Sequence, residues 1–122
     1  MEHNFEFDKD AGICTVCVTG TFTRPRDAVE IEHVVINLHN ELGCSRFLVD
    51  MTNAHIVSTT FDTFKAGNPP AEISNTLRGF RVAVLYSELT EDDRFLETVA
   101  VNRGFTMYVF DENDKAVKWL NH

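Results

Sequence analysis

Residues 79–120 constrain the fold more than any other stretch. They read as strand, helix, strand, helix with almost nothing between them. Arg81–Tyr86 (RVAVLY) is a short apolar run. Thr90 is a natural N-cap, and Asp93 three residues on makes a short variant of the capping box. Phe95, Leu96, Val99 and Ala100 then recur at helical spacing, and Gly104 supplies a left-handed stop. Phe105–Phe110 (FTMYVF) is a second apolar run, and Asp114–Leu120 adds one or two helical turns. Two strands joined through a helix pair in parallel by a right-handed crossover. The sequence therefore predicts an α/β fold.

The preceding residues extend the same pattern. His3–Asp8 alternates, with Phe5 and Phe7 on one face and Asn4, Glu6 and Asp8 on the other, which predicts a half-buried strand near a sheet edge. A turn through Gly12 leads to Ile13–Thr19 (ICTVCVT), a more buried strand antiparallel to the first. Pro25 suits the first position of a long helix. Asp27 and Glu30 favour its N-terminus, Ala28, Ile31, Val34, Val35, Leu38 and Leu42 recur along it at helical spacing, and Gly43 ends it. Arg46–Met51 (RFLVDM) is apolar on consecutive positions, as expected of a parallel strand covered on both faces.

Thr52–Leu77 is the least regular part. A short helix from about Thr59 to Ala66 would place Phe61 and Phe64 on one face. Gly67-Asn68-Pro69-Pro70 breaks it, and a further turn over Ala71–Leu77 would offer Ile73 and Leu77 inward. The whole predicts a single domain over 1–122, with a five-stranded mixed sheet flanked by about four helices.

Composition removes several functions. Across 122 residues, 43% are hydrophobic and 25% charged, which is globular. The net charge of −8 opposes a nucleic-acid surface, which needs Lys and Arg against phosphate, and simple docking on anionic lipid. No apolar run reaches the ~18 residues of a membrane span. The first residues, MEHNFEFDKD, lack a basic and then apolar leader, so the expectation is a cytoplasmic protein with three reduced cysteines.

The chemistry-bearing residues point away from catalysis. Cys14-Thr15-Val16-Cys17 matches C-x-x-C, but in a strand those thiols point to opposite faces and read as core residues. The five histidines form no metal-ligating spacing. Glu91-Asp92-Asp93 suits the first turn of a helix for structural reasons. Asp50 ends the Arg46–Met51 strand, where it would orient the loop that follows or serve as a site residue. No phosphate-binding loop, dinucleotide fingerprint or nucleophile elbow occurs, so neither a cofactor nor an enzyme is expected.

Phe95–Ala100, Asn102-Arg103-Gly104-Phe105, Val109-Phe110-Asp111, Ala116 and Trp119-Leu120 together resemble the end of SpoIIAA-like (STAS/SEC14-type) small bacterial domains. Gly20–Thr23, a Gly-x-Phe/Leu-Thr step before the long helix, fits the same layout. The resemblance implies the fold of anti-sigma-factor antagonists, which are switched by phosphorylation of Ser in Asp-Ser-Ser-Gly. The matching Val57-Ser58-Thr59-Thr60-Phe61 keeps the hydroxyls, without the preceding Asp or following Gly. Ser58 and Thr59 are thus candidate phosphoacceptors, or helix caps. The SEC14-like side implies an apolar ligand under movable helices. The leading expectation is a non-enzymatic domain that binds an apolar small molecule or a protein partner. Residues 52–77 would form its lid, with Phe61, Phe64, Ile73 and Leu77 lining the cleft. Val29 and Ile36, outside the main stripe of the long helix, suggest a homodimer.

Overall fold

The computed structural model describes Met1–His122. Its elements in chain order are β1 (Glu2–Asp8), β2 (Ile13–Thr23), α1 (Arg26–Leu42), β3 (Arg46–Val57), α2 (Thr60–Ala66) and α3 (Ala71–Leu77). They continue with β4 (Arg81–Leu85), α4 (Glu91–Asn102), β5 (Thr106–Phe110) and α5 (Asn113–Leu120). The five strands form one sheet in the order β1-β2-β3-β4-β5. β1 runs antiparallel to β2, and the other neighbours are parallel. The mixed α/β sheet is the expected one. The fifth helix is Ala71–Leu77, which forms a complete short helix beyond the four expected.

All three crossovers advance in the same direction along the sheet, so a constant hand places their helices on one face. Ile31, Val35 and Leu38 of α1 pack there on Cys14, Val16, Phe47 and Val49. The other face carries a smaller cluster, in which Ala116 and Leu120 of α5 cover Ile13, Leu48, Ala83 and Leu85. β3 sends Phe47 and Val49 to one side and Leu48 to the other, which explains its unbroken apolar run. Val29 is half-buried, and Ile36 packs against the larger cluster, so part of the wide apolar arc of α1 is covered within the chain itself.

β2 and β3 both outrun their expected ends at Thr19 and Met51. Thr19–Thr23 pairs in parallel with Asn53–Val57. The reason lies in a β-bulge. Cys17 pairs with Asp50 and Thr19 with Asn53, so β3 fits Met51 and Thr52 opposite the single Val18. The extra residue changes the phase of β3. Phe47, Val49 and Met51 face the larger core before it, and Ala54 and Ile56 after it. A strand whose alternation changes phase does not read as one strand. Asp50 therefore lies inside β3, not at its end. Its Oδ1 accepts bonds from the Thr52 amide at 2.9 Å and the Thr52 hydroxyl at 2.6 Å. The carboxylate pins the bulge.

α1 starts one residue later than expected, with Pro25 as its N-cap residue. Asp27 reaches back to accept the Thr23 amide at 2.7 Å, which joins the end of β2 to the helix. Gly43 closes the helix at φ 71°, where a side chain would be strained.

Candidate functional site

The larger core is not filled. An apolar cavity of about 130 Å³ lies against β4, and sixteen of its 21 lining residues are hydrophobic. Val82, Val84 and Tyr86 form the floor. Ala28, Ile31 and Val35 of α1 make one wall, and Leu96 and Ala100 of α4 the other. Ala66, Gly67, Pro69 and Leu77 close the top, where the chain passes from α2 to α3. Gly67 is required by contact rather than by backbone conformation. A Cβ there would stand 2.8 Å from Cγ1 of Val99, so α2 and α4 can approach this closely only through glycine.

One acidic residue belongs to the wall of this apolar space. Glu32 follows Ile31 on α1 and lines the cavity. The residue as a whole is half-buried, but its Oε1 is shut off from solvent and meets no hydrogen-bonding group of the protein. Burial pushes its pKa up to about 8, so the group is neutral at pH 7.

At the carboxyl ends of β2, β3 and β4 the cavity meets a buried polar cluster. Arg24, only 3% exposed, leaves β2 just before the cis Arg24–Pro25 bond. Its Nη2 donates to Asp93 Oδ1 at 2.9 Å and to the Tyr86 hydroxyl at 3.0 Å. Its Nη1 donates to Thr63 Oγ1 and Asp92 Oδ2, each at 3.3 Å. The Thr63 hydroxyl also donates to Asp92 and lies 2.7 Å from Ser58 Oγ. Burial opposes the charge on Arg24, but Tyr86 and Asp93 hold its pKa above the ordinary value. Burial pushes the Tyr86 phenol up to about 12, so it stays protonated while its oxygen accepts from Arg24. Asp93 serves twice. Its Oδ2 accepts the Thr90 amide in the capping box of α4, and its Oδ1 holds Arg24. The acidic run that reads as helix-dipole chemistry is in part an anchor for a buried arginine.

Thr59 caps α2 in a full capping box with Asp62. Ser58 is half-buried and donates to the Thr59 carbonyl. The four expected cleft residues are not brought together. Leu77 lines the cavity; Ile73 is buried elsewhere. Phe61 and Phe64 share a helix face, as expected, but it points outward. Phe61 is 63% exposed, with Lys65 Nζ 4.5 Å from its ring centre, and Phe64 is also exposed. Thr63 held in the ion cluster and Gly67 seated on Val99 fix the roll of α2, and that roll turns both rings to solvent.

Glu32 had a readable signal, since a carboxylate between Ile31 and Val35 interrupts an apolar helix face. Arg24 had none within its own segment, because its partners lie 39 to 69 residues away. Cys14 is fully buried in the larger core, and Cys17 is half-buried on the opposite face, towards Glu6 and Asp50.

Two solved structures match this architecture over nearly the whole chain. One is an uncharacterized protein from the DUF3478 family with a SpoIIAA-like fold, from Shewanella loihica PV-4. It shares 16% identity at a TM-score of 0.56, over 98% of this chain and 92% of that one. The other is the anti-sigma factor antagonist SpoIIAA in its unphosphorylated form. It shares 8% identity at a TM-score of 0.55, over 93% and 92%. The fold is SpoIIAA-like. No protein-family model matches the sequence, and no curated protein matches it. At these identities the likeness extends to the SpoIIAA-like fold and not to particular site residues. No helix is long and apolar enough to cross a membrane.

Proposed function

We propose that this chain is a non-enzymatic binding module that holds a small apolar molecule between its SpoIIAA-like sheet and the α2–α3 segment. The cavity beside β4 carries the reading. Its volume, about 130 Å³, is near the ~150 Å³ of an aliphatic cavity that takes up benzene. A benzene-sized guest fits the cavity as it stands, and a long acyl chain exceeds its volume unless the α2–α3 segment moves. α2 and α3 have seven residues each, too short to hold without packing, and Pro69-Pro70 separates them. Thr63 and the Thr59 capping box pin the start of α2. With Gly67 seated on Val99, the lid is Asn68–Pro70 together with α3, narrower than residues 52–77.

Amide hydrogen exchange with and without saturating toluene tests this. Residues Asn68–Leu77 exchange earlier than β3 and β4 in the free protein and slow when toluene is added. Protection equal to that of β3 and β4, unchanged by toluene, refutes the lid and the guest together.

A second reading rests on the outer surface. Val57, Phe61 and Phe64 are exposed beside Ser58 and Thr59 at the start of α2. An apolar patch next to hydroxyls suits a protein partner whose docking is switched by phosphorylation, in the anti-sigma-factor-antagonist manner. Mass spectrometry of the protein isolated from its own cells tests it: a phosphate-sized increment that Ser58→Ala removes favours this reading, and its absence under all growth conditions refutes it. A homodimer through Val29 and Ile36 of α1 and the edge strand β1 is the further assembly to check, by light scattering.

A further inference from the structure

We propose that the guest of the cavity carries one uncharged hydrogen-bonding group, a hydroxyl above all, and that Glu32 is the residue that selects for it. This rests on the apolar-binding reading above and narrows its ligand class. A buried polar atom without a partner is destabilising, and native interiors rarely leave one. Glu32 Oε1 is such an atom, and it belongs to a residue that lines space large enough for a guest. Leu or Met at this position would fill the α1 wall without that penalty.

The surroundings decide the charge of the guest. Besides Glu32, only Arg24 and Tyr86 among the lining residues are titratable. Both Arg24 terminal nitrogens are engaged by Thr63, Asp92, Tyr86 and Asp93, and Tyr86 is tied to Arg24. The tops contributed by α2 and α3 and the wall contributed by α4 present no charged side chain to the cavity. No free cation is left to balance an anionic guest, and a cationic one would lose its water among sixteen hydrophobic side chains for a single carboxyl group. A neutral carboxyl group offers one donor and one acceptor, and a hydroxyl can answer both.

Phenol and toluene test this, because they differ by a hydroxyl in place of a methyl group. Their affinities are read at pH 6 from amide shifts of Ile31, Val35 and Val84, for the wild type, Glu32→Gln and Glu32→Leu. The wild type prefers phenol by about ten- to a hundredfold, the range set by leaving a buried polar group unmatched. Glu32→Gln, which keeps a donor and an acceptor, retains the preference. Glu32→Leu loses it and binds toluene the better. If toluene binds the wild type as tightly as phenol and Glu32→Leu changes nothing, the role of Glu32 is refuted and the apolar-binding reading stands. If neither compound shifts the cavity residues in any of the three proteins, both readings fall.

Discussion

Replacing Arg24 with Met is the most informative perturbation of the polar cluster. Met keeps most of the apolar stem and removes the guanidinium. Arg24 and Asp93 are each 3% exposed and lie 2.9 Å apart, so the change leaves a carboxylate in the interior without its cation. Breaking one side of a buried pair costs about 3–5 kcal/mol. The Asp92 side chain is 31% exposed, so its share of the ion pairing is discounted to about 1 kcal/mol or less. The expected order is therefore Arg24→Met far worse than Asp92→Asn. With a urea slope of about 1–3 kcal/mol/M, the midpoint of Arg24→Met falls by about 2 M. Asp93→Asn keeps an oxygen for the Thr90 amide, and combining it with Arg24→Met recovers part of the loss, since the stranded charge is then gone. Urea unfolding of the four variants followed by circular dichroism measures all of this. A midpoint for Arg24→Met within about 0.3 M of the wild type, or an Asp92→Asn loss as large as that of Arg24→Met, would refute the claim that the cluster is a buried, paired anchor.

Glu32 shapes stability against pH. Its proton is held to about pH 8 in the folded chain and to about 4.5 in the unfolded one, so its contribution is full below pH 4.5 and lost above pH 8. Glu32→Gln flattens that decline by up to about 1.4 kcal/mol per pH unit, measured by urea midpoints from pH 5 to 9. Gly67→Ala forces a Cβ against Val99, costs about 1–3 kcal/mol and speeds amide exchange in α3; unchanged exchange would show that α2 and α4 can part freely. Burial, with a smaller contribution from Cys44, raises the Cys14 thiol to about 11, and burial with Asp50 and Glu6 raises Cys17. Both therefore react with iodoacetamide at pH 7.5 far more slowly than in urea, and Cys17 ahead of Cys14; mass spectrometry of timed samples checks the order. Light scattering at high concentration returns twice the chain mass if the expected homodimer forms.

The local chemistry of this chain was open to reading in advance. The apolar runs of β4 and β5, the Thr90–Asp93 capping box and the Gly43 stop are decided within a few residues, because hydrogen bonds at helix ends and side-chain periods are short-range. The mixed sheet follows from them, since a tight turn pairs strands antiparallel and a helical crossover pairs them parallel, while the order of the five strands came from the tertiary structure. What required the tertiary structure was every feature fixed by residues far apart in sequence. The bulge at Met51-Thr52 exists only against β2, and it hid six residues of strand by shifting their phase. The roll of α2 was set by Thr63 meeting Arg24 and Asp92, and it overrode the apolar face that Phe61 and Phe64 share. The cavity is a gap left among β4, α1, α4 and the α2–α3 turn, and no single segment encodes a gap. Glu32 stands between the two: its place on the apolar face of α1 is written in the spacing, while its isolation depends on what the other walls do not offer it.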